Sequence, residues 1–260
     1  MADTSWLRQT GNEPLFADLL WSQPENKNQA GKLLILGGNL HGFKAVAAAH
    51  QAATKAGAGV VKILLPDALK KLLGKSFGEA EFTSSTSAGS FSREALALFL
   101  DEAEWADGVL LAGDFGKNSE TAILLESFIN KQSSLVVMVG DSLDYFANSP
   151  KPAQNNNIVV VGDIARLQKI AKPTLIKHSF DLLQMVNALS KWTMQANLNI
   201  LTRHAGQIIT ASHGRISTTP AKEVSDWEVQ LAAYASVWCI QHPQKPFEAL
   251  TTAAFGYTKE

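Results

Sequence analysis

A strand, a glycine turn, a helix and a second strand follow one another directly near the start of the chain. Leu33 to Leu36 form an apolar run that stops at two glycines, and an alanine-rich stretch from Lys44 to Lys55 leads into the apolar run from Val60 to Pro66. Such continuous apolar runs are typical of strands buried on both faces. Two of them joined by a helix make one right-handed βαβ unit, which predicts a parallel sheet.

The same alternation of strands and helices continues along most of the chain. The next strands are predicted at 109–113, 135–140 and 157–163, with helices at 92–106, 119–132, 164–172 and 181–195. No segment recurs with a period of about 20 to 50 residues, which excludes a solenoid or a propeller. Alternation on this scale predicts an α/β fold in three layers, with a mostly parallel sheet flanked by helices.

The pattern changes after the helix at 181–195. Three short strands are predicted at 198–204, 206–214 and 215–219, with turns at Ala205-Gly206 and His213-Gly214. We expect the last two strands to form a hairpin, which adds a small antiparallel unit at one edge of the sheet. Two further helices are predicted at 226–241 and 245–256.

Length and composition fit one globular domain preceded by a short segment. The 260 residues are 46% apolar and only 18% charged, which provides a buried core and argues against disorder. Residues 1–29 are predicted to form an N-terminal helix and a turn-rich connector, and residues 30–260 a single domain.

Charge and hydropathy narrow the range of partners. Lys and Arg total 23 against 24 for Asp and Glu, a net charge of −1, so the chain lacks the basic excess with which proteins bind nucleic acid. No apolar run approaches the ~18 residues that span a bilayer, and the acidic start does not resemble a signal peptide. The single cysteine, Cys239, cannot form an internal disulfide. We therefore expect a cytoplasmic protein without nucleic-acid or membrane partners.

Five short motifs follow one another along the chain: GGNLHGF at 37–43, AGAGVV at 56–61, LLAGDFG at 110–116, VMVGDSL at 137–143 and KEVSDW at 222–227. In this order they resemble the ADP- or ATP-dependent NAD(P)H-hydrate dehydratases of the ribokinase-like superfamily. The likeness spans residues 30 to 257. It implies a three-layer ribokinase-like fold, with NAD(P)H hydrate and an adenine nucleotide as partners. It also implies use of ATP or ADP with Mg²⁺.

On the substrate side, the resemblance points to the turns after two strands. Gly38 lies in the glycine turn that holds the nicotinamide nucleotide in the family, and Ala45 matches the second residue of a Gly-Ala pair, with Lys44 at the first. The alternative is that this turn only connects a strand to a helix. Gly113 matches the first glycine of a Gly-Pro-Gly turn, where Asp114 and Phe115 replace the other two residues. This replacement adds negative charge and bulk where a phosphate-bearing ligand would lie.

Asp141 follows the next strand and matches an acidic residue of the family motif. Its carboxylate could help to hold Mg²⁺ through water, or it could cap the following helix. The family's Thr-Pro-His turn falls by spacing on 159–167, where no histidine occurs, and a second register would instead supply His178.

On the nucleotide side, the segment from 201 to 209 resembles a Lys-Gly turn between two strands that wrap the nucleotide. Arg203 stands at the lysine, His204 at the glycine and Gln207 near the end of the segment. An arginine can still bind a phosphate, and Lys222 is a second candidate.

Asp226 is the candidate catalytic residue. Ribokinase-like enzymes carry Gly-x-Gly-Asp at the start of a long helix, where backbone amides hold the transferred phosphoryl group and the aspartate accepts the hydroxyl proton. Here Val224 and Ser225 precede Asp226, and Glu223 adds a like charge. Ser225 is assigned to the nucleotide site. The alternative is that Ser225 or Asp226 only caps the helix.

Three functions follow from these residues. The first is NAD(P)H-hydrate dehydratase activity, the second a catalytically inactive binding or scaffold protein, and the third a superfamily kinase acting on a vitamin precursor or a sugar. The six histidines show no metal-binding spacing, and no metal ligands are assigned. Three aromatic residues of the helix at 226–241 share one face, which would suit a homo-oligomer interface if exposed; they are Trp227, Tyr234 and Trp238.

Overall fold

The computed structural model describes residues 6–73, 80–148, 157–171, 176–222 and 224–259. The strands are β1 (Trp6–Arg8), β2 (Lys32–Gly37), β3 (Val60–Pro66), β4 (Ala80–Thr83), β5 (Gly108–Gly113), β6 (Leu135–Val139), β7 (Ile158–Val161), β8 (Asn199–His204), β9 (Gln207–Ser212) and β10 (Arg215–Pro220). The helices are α1 (Ala17–Trp21), α2 (Lys44–Lys55), α3 (Lys70–Leu73), α4 (Leu96–Trp105), α5 (Ser119–Lys131), α6 (Ser142–Asn148), α7 (Ile164–Ile170), α8 (Leu182–Gln195), α9 (Trp227–Gln241) and α10 (Pro246–Thr258).

The described strands form one sheet in the order β1-β10-β9-β8-β7-β6-β5-β2-β3-β4. Only β9, among these strands, runs against the others: it pairs antiparallel with β8 and β10, and the remaining pairs are parallel. The sheet is therefore mostly parallel with a small antiparallel unit near one edge, as predicted.

Two buried clusters, one on each face of the sheet, make the three layers. Helices α2, α9 and α10 pack over one face, and α4, α5, α7 and α8 over the other. Strands β5 and β7 are buried along their whole lengths. Their continuous apolar runs follow from this double coverage, since neither face of a central parallel strand meets water.

The strand order reverses between β2 and β5. The chain moves outward from β2 to β3 and β4, then returns to β5 and continues in the opposite direction. In open α/β sheets the loops at the carboxyl ends of two such strands diverge and leave a crevice between them. This crevice lies beside the turns that follow Gly37 and Gly113.

The predicted bounds of α2 and β3 are confirmed, as are both hairpin turns. Ala205, Gly206, His213 and Gly214 all have positive φ, which a two-residue hairpin turn of this hand requires. Two strands were not predicted. The N-terminal segment, expected to be a helix and a connector, contains β1 as well as the short α1, and β4 precedes the helix predicted at 92–106.

Part of the predicted Pro/Asn-rich linker at 147–157 lies outside the described residues, as does Glu223. Within the described ranges, no helix is long and apolar enough to cross a membrane.

Candidate functional site

A cleft of about 310 Å³ lies where the strand order reverses. The predicted residues Ala45, Gly113, Asp141 and Asp226 all line it. They come from the start of α2, the ends of β5 and β6, and the residue before α9. Among the described residues, four carboxylates and two cations line the cleft: Asp114, Asp141, Asp226, Glu228, Lys44 and Arg166.

Asp226 stands directly before α9 in the left-handed backbone region, with φ of 58°. Aspartate tolerates this conformation better than most residues. Its side chain makes no capping bond to the helix. Instead, its Oδ2 lies 2.7 Å from the Nζ of Lys44, with 45% of the Asp226 side chain and 79% of the Lys44 side chain exposed. The hydrogen bond to Asp226 raises the pKa of Lys44, so this amine is protonated at neutral pH.

Asp114 has the same backbone conformation, with φ of 59°. Its Oδ2 accepts a hydrogen bond from the amide of Ala45 at 2.9 Å. Because the first amides of a helix have no partner within it, this carboxylate caps α2 from a neighbouring loop. The negative charge predicted at this turn therefore does lie in the cleft, on Asp114. The predicted bulk of Phe115 does not, since its ring is fully buried and packs against Phe91.

Asp141 joins the turn after β6 to the turn after β5. Its carboxylate accepts bonds from the amides of Phe115 and Gly116, the latter at 3.1 Å. Its Oδ1 is buried, and no hydrogen-bond partner for it occurs among the described residues. Burial is the main cause that raises the pKa of Asp141. The sequence left two roles open for this carboxyl group, metal binding and capping of α6. The hydrogen bonds that it makes go to neither, since they join it to the turn after β5.

Glu228 holds the start of α9 against the turn after β7. Its carboxylate accepts from the amide of Asp163 at 2.9 Å and pairs with the guanidinium of Arg166 at 2.6 Å. Burial raises the pKa of Glu228, while the charge of Arg166 opposes this effect. The ion pair holds one wall of the cleft in place, and it gives the Arg166 guanidinium an anionic partner within the protein.

Gly38 is not among the described residues that line the cleft, but its amide donates to the carbonyl oxygen of Gly113, which is one of them. Its φ is 86°, and a Cβ there would lie 3.2 Å from Leu65 and 3.4 Å from Leu69. The preceding Gly37 lies against the carbonyl of Gly113, where a Cβ would approach to 2.5 Å. Gly37 thus lets β2 lie close to β5 and α2, and Gly38 lets the turn lie against Leu65 of β3, which supports the connecting role. A substrate contact by Gly38 stays a prediction.

Arg203, predicted to bind phosphate, contacts the loop between β10 and α9. Its guanidinium donates to the carbonyl oxygens of Ala221 and Lys222 and lies 5.5 Å from the ring centre of Trp227. Arg203 therefore orders the loop that leads to Asp226. Any phosphate contact would use its remaining donors.

A second cavity, of about 570 Å³, collects most of the predicted nucleotide residues. Arg203, His204 and Ser225 line it, together with His178 from the alternative register. The Nε2 of His204 lies 2.7 Å from the carbonyl oxygen of Phe180, so this nitrogen carries the proton. Gln207 pairs with His204 across the hairpin at its tip.

The sequence analysis did not predict a third cavity, of about 780 Å³, although it named one of its lining residues, Lys222, as a phosphate-binding candidate. Lys55, Lys222, Lys259, Gln230 and Tyr257 contribute to its wall, and no acidic side chain does so among the described residues. Tyr257 is only 8% exposed, and its hydroxyl has no hydrogen-bond partner in the described chain. Burial raises the pKa of this hydroxyl, which stays a donor at neutral pH. These residues are far apart in the sequence and match no short motif.

The carboxylates of the first cleft fit a metal site whose ligands come partly from the protein and partly from a bound phosphate. In the described ranges, no three His, Cys, Asp or Glu side chains are arranged to hold a metal ion by themselves. Mg²⁺ is often held by one or two carboxylates together with substrate phosphates. The unpartnered Oδ1 of Asp141 is an oxygen ligand of the type that this ion prefers.

Comparisons with solved structures define the class of the fold. A ribokinase-like superfamily protein from Enterococcus faecalis superposes with a TM-score of 0.77 at 15% identity, over 100% of this chain and 88% of the other. The protein has the ribokinase-like fold.

The comparisons also confirm the more specific resemblance. The ADP/ATP-dependent NAD(P)H-hydrate dehydratase from Bacillus subtilis, co-crystallized with ATP/Mg²⁺, superposes with a TM-score of 0.70 at 14% identity, covering 95% of this chain and 88% of the other. A bifunctional NAD(P)H-hydrate repair enzyme Nnr from Dictyoglomus turgidum is 21% identical over 206 residues, 78% of this chain and 38% of the relative. The chain thus spans well under half of that relative. No known protein-family profile matches the chain.

Proposed function

We propose that this protein is an ATP- or ADP-dependent NAD(P)H-hydrate dehydratase. It would convert the hydrated nicotinamide ring back to the dihydronicotinamide. The observation that carries the proposal is the meeting of Ala45, Gly113, Asp141 and Asp226 in one cleft. The cleft lies at the carboxyl ends of parallel strands, where α/β folds bind their ligands. The similarity to the Bacillus subtilis dehydratase and to the Nnr enzyme supports this choice of reaction.

Asp226 is the general base in this proposal. Its carboxylate is exposed to the cleft and does not cap α9. It would accept the proton of the ring hydroxyl as the hydroxyl oxygen forms its bond to phosphorus. The bond between phosphorus and the nucleotide oxygen breaks. Phosphate then leaves the ring carbon with the electron pair of the C–O bond, and loss of a proton from the neighbouring ring carbon to solvent restores the double bond.

When bound, ATP or ADP supplies the phosphoryl group and Mg²⁺ offsets its charge. Asp141 would hold the ion through its unpartnered oxygen. Arg203, His204, Gln207 and Ser225 would contact the nucleotide on one side of the loop between β10 and α9. Lys222, Lys259 and Tyr257 would contact it on the other side.

A binding or scaffold protein is the second candidate, and one observation favours it. The Asp114 carboxylate, which caps α2, lines the same cleft as Asp226 and adds negative charge beside the expected path of a phosphate. A protein of this kind would bind the nucleotide weakly or not at all and would show no turnover. Oligomeric state and cellular compartment stay predictions in either case.

The decisive experiment follows the recovery of reduced-nicotinamide absorbance from hydrated NADH or NADPH, with ATP or ADP and Mg²⁺. We expect recovery with the wild-type protein. Recovery no faster than in buffer, together with weak or no nucleotide binding by calorimetry, would instead favour the second candidate.

A further inference from the structure

The Lys44 amine is the cation of the cleft that can change partner. Arg166, the other cation among the described lining residues, is held by the partly buried Glu228 at 2.6 Å. Among the described residues, Lys44 is bound to Asp226 alone, and both side chains are well exposed. Exposed ion pairs contribute little free energy, because each charge is well solvated when they separate. A phosphate group can therefore displace Asp226 from this lysine at small cost.

The position of Lys44 places a positive charge where the glycines of the resembled turn are missing. The residues before Asp226 are Val224 and Ser225 rather than glycines. A turn with side chains cannot bring successive amides as close to an anion as a glycine turn can. The Lys44 side chain reaches the same point from the opposite wall, since α2 begins beside α9.

We propose that Lys44 is the phosphate-binding residue of this cleft and exchanges Asp226 for the terminal phosphate of the bound nucleotide. Its ammonium group would take over the role of the missing glycine amides. The exchange would also free the Asp226 carboxylate to accept a proton. This inference deepens the proposed function, on which it rests, by naming the group that meets the transferred phosphate.

The test compares ATP and AMP binding by calorimetry in wild-type protein and in Lys44→Met, Lys44→Arg and Lys131→Met. Lys131 is exposed at the end of α5, so its variant loses the same charge away from the cleft. Loss of a charge-assisted bond predicts a roughly 10- to 100-fold weaker ATP affinity in Lys44→Met. AMP affinity should not change, since AMP has no terminal phosphate to transfer. Lys44→Arg should recover most of the ATP affinity, and Lys131→Met should resemble the wild type.

Equal losses of ATP and AMP affinity in Lys44→Met, or no loss of either, would overturn the assignment. The same proteins are assayed with hydrated NADH. If the wild type binds ATP in a Lys44-dependent way but shows no turnover, the dehydratase proposal fails while the phosphate-binding assignment stands. If the wild type turns over and Lys44→Met matches it in both kcat and KM, the assignment fails alone. A wild-type protein that binds neither nucleotide overturns both.

Discussion

Asp114 and Asp226 have nearly the same backbone and opposite roles. Both adopt φ near 60° at the carboxyl edge of the sheet, and both line the same cleft. The carboxylate of Asp114 is bound to a backbone amide, that of Ala45, whereas the carboxylate of Asp226 is bound to the exposed side chain of Lys44. A bond to a helix amide is part of the fold, while a bond to a mobile amine can be exchanged. Two aspartates in the left-handed region thus lie at the site. The partner of each carboxylate indicates whether it stabilises the fold, as Asp114 does, or is available for the reaction, as we propose for Asp226.

The largest effect should come from Asp226→Asn, which keeps the shape and the backbone preference but removes the base. If Asp226 accepts the hydroxyl proton, turnover of hydrated NADH should fall roughly 10²- to 10⁴-fold. Stability should change by no more than about 0.5 kcal/mol, as for other exposed positions. Steady-state kinetics and urea unfolding measure the two quantities. Turnover equal to that of the wild type would remove Asp226 from the mechanism.

Asp114→Ala should instead act on stability. It removes the cap of α2 and places alanine in the left-handed region, which together cost about 1–3 kcal/mol. Asp114→Asn keeps an oxygen acceptor and tolerates this backbone, so it is the matched control. Urea unfolding compares the three proteins. An alanine variant as stable as the wild type would show that the bond to Ala45 contributes nothing measurable.

Asp141, the third carboxylate of the cleft, should make the stability of the protein depend on pH. Because burial raises its pKa, the folded chain binds this proton more tightly than the unfolded chain does. The carboxyl group therefore lowers stability as the pH rises above its ordinary pKa of about 4. The stability of Asp141→Asn relative to the wild type should increase from that pH upward and then level off. Urea midpoints across the pH series test this, with the exposed Glu94→Gln as control, and parallel curves would contradict it.

The smallest effect should be that of Lys44→Met on folding. An exposed ion pair contributes little to stability, so the urea midpoint should match that of the wild type. A clear loss would mean that the lysine holds α2 against α9, and that the contrast with Asp114 is weaker than proposed.

Much of the fold could be predicted because the relevant signals are local. The bounds of α2 and β3 follow from an alanine-rich run closed by glycines, and the hairpin turns from Ala205-Gly206 and His213-Gly214. The strand β1 could not be predicted, because three residues carry no periodicity and its pairing with β10 joins positions more than 200 residues apart. For β4 the run is similarly short and half polar.

The site was predictable in its positions and less so in its contacts. The resemblance to the dehydratase family pointed to Gly113, Asp141 and Asp226, which do meet in one cleft. The Lys44–Asp226 pair joins residues 182 positions apart and could not be foreseen. The direction of the Phe115 ring was also hidden, because a sequence shows the volume of a side chain but not the side of the turn that it occupies.

Short strands end the sheet on both sides, and this bears on how the protein behaves at high concentration. Strands β1 and β4 have three and four residues, so each edge presents few free backbone donors and acceptors. Long open edges invite another chain to add by hydrogen bonding, and short ones give it little to hold. The three residues Trp6–Arg8 also cover the longer β10. Their removal would expose that strand, and we would expect such a shortened chain to aggregate more readily.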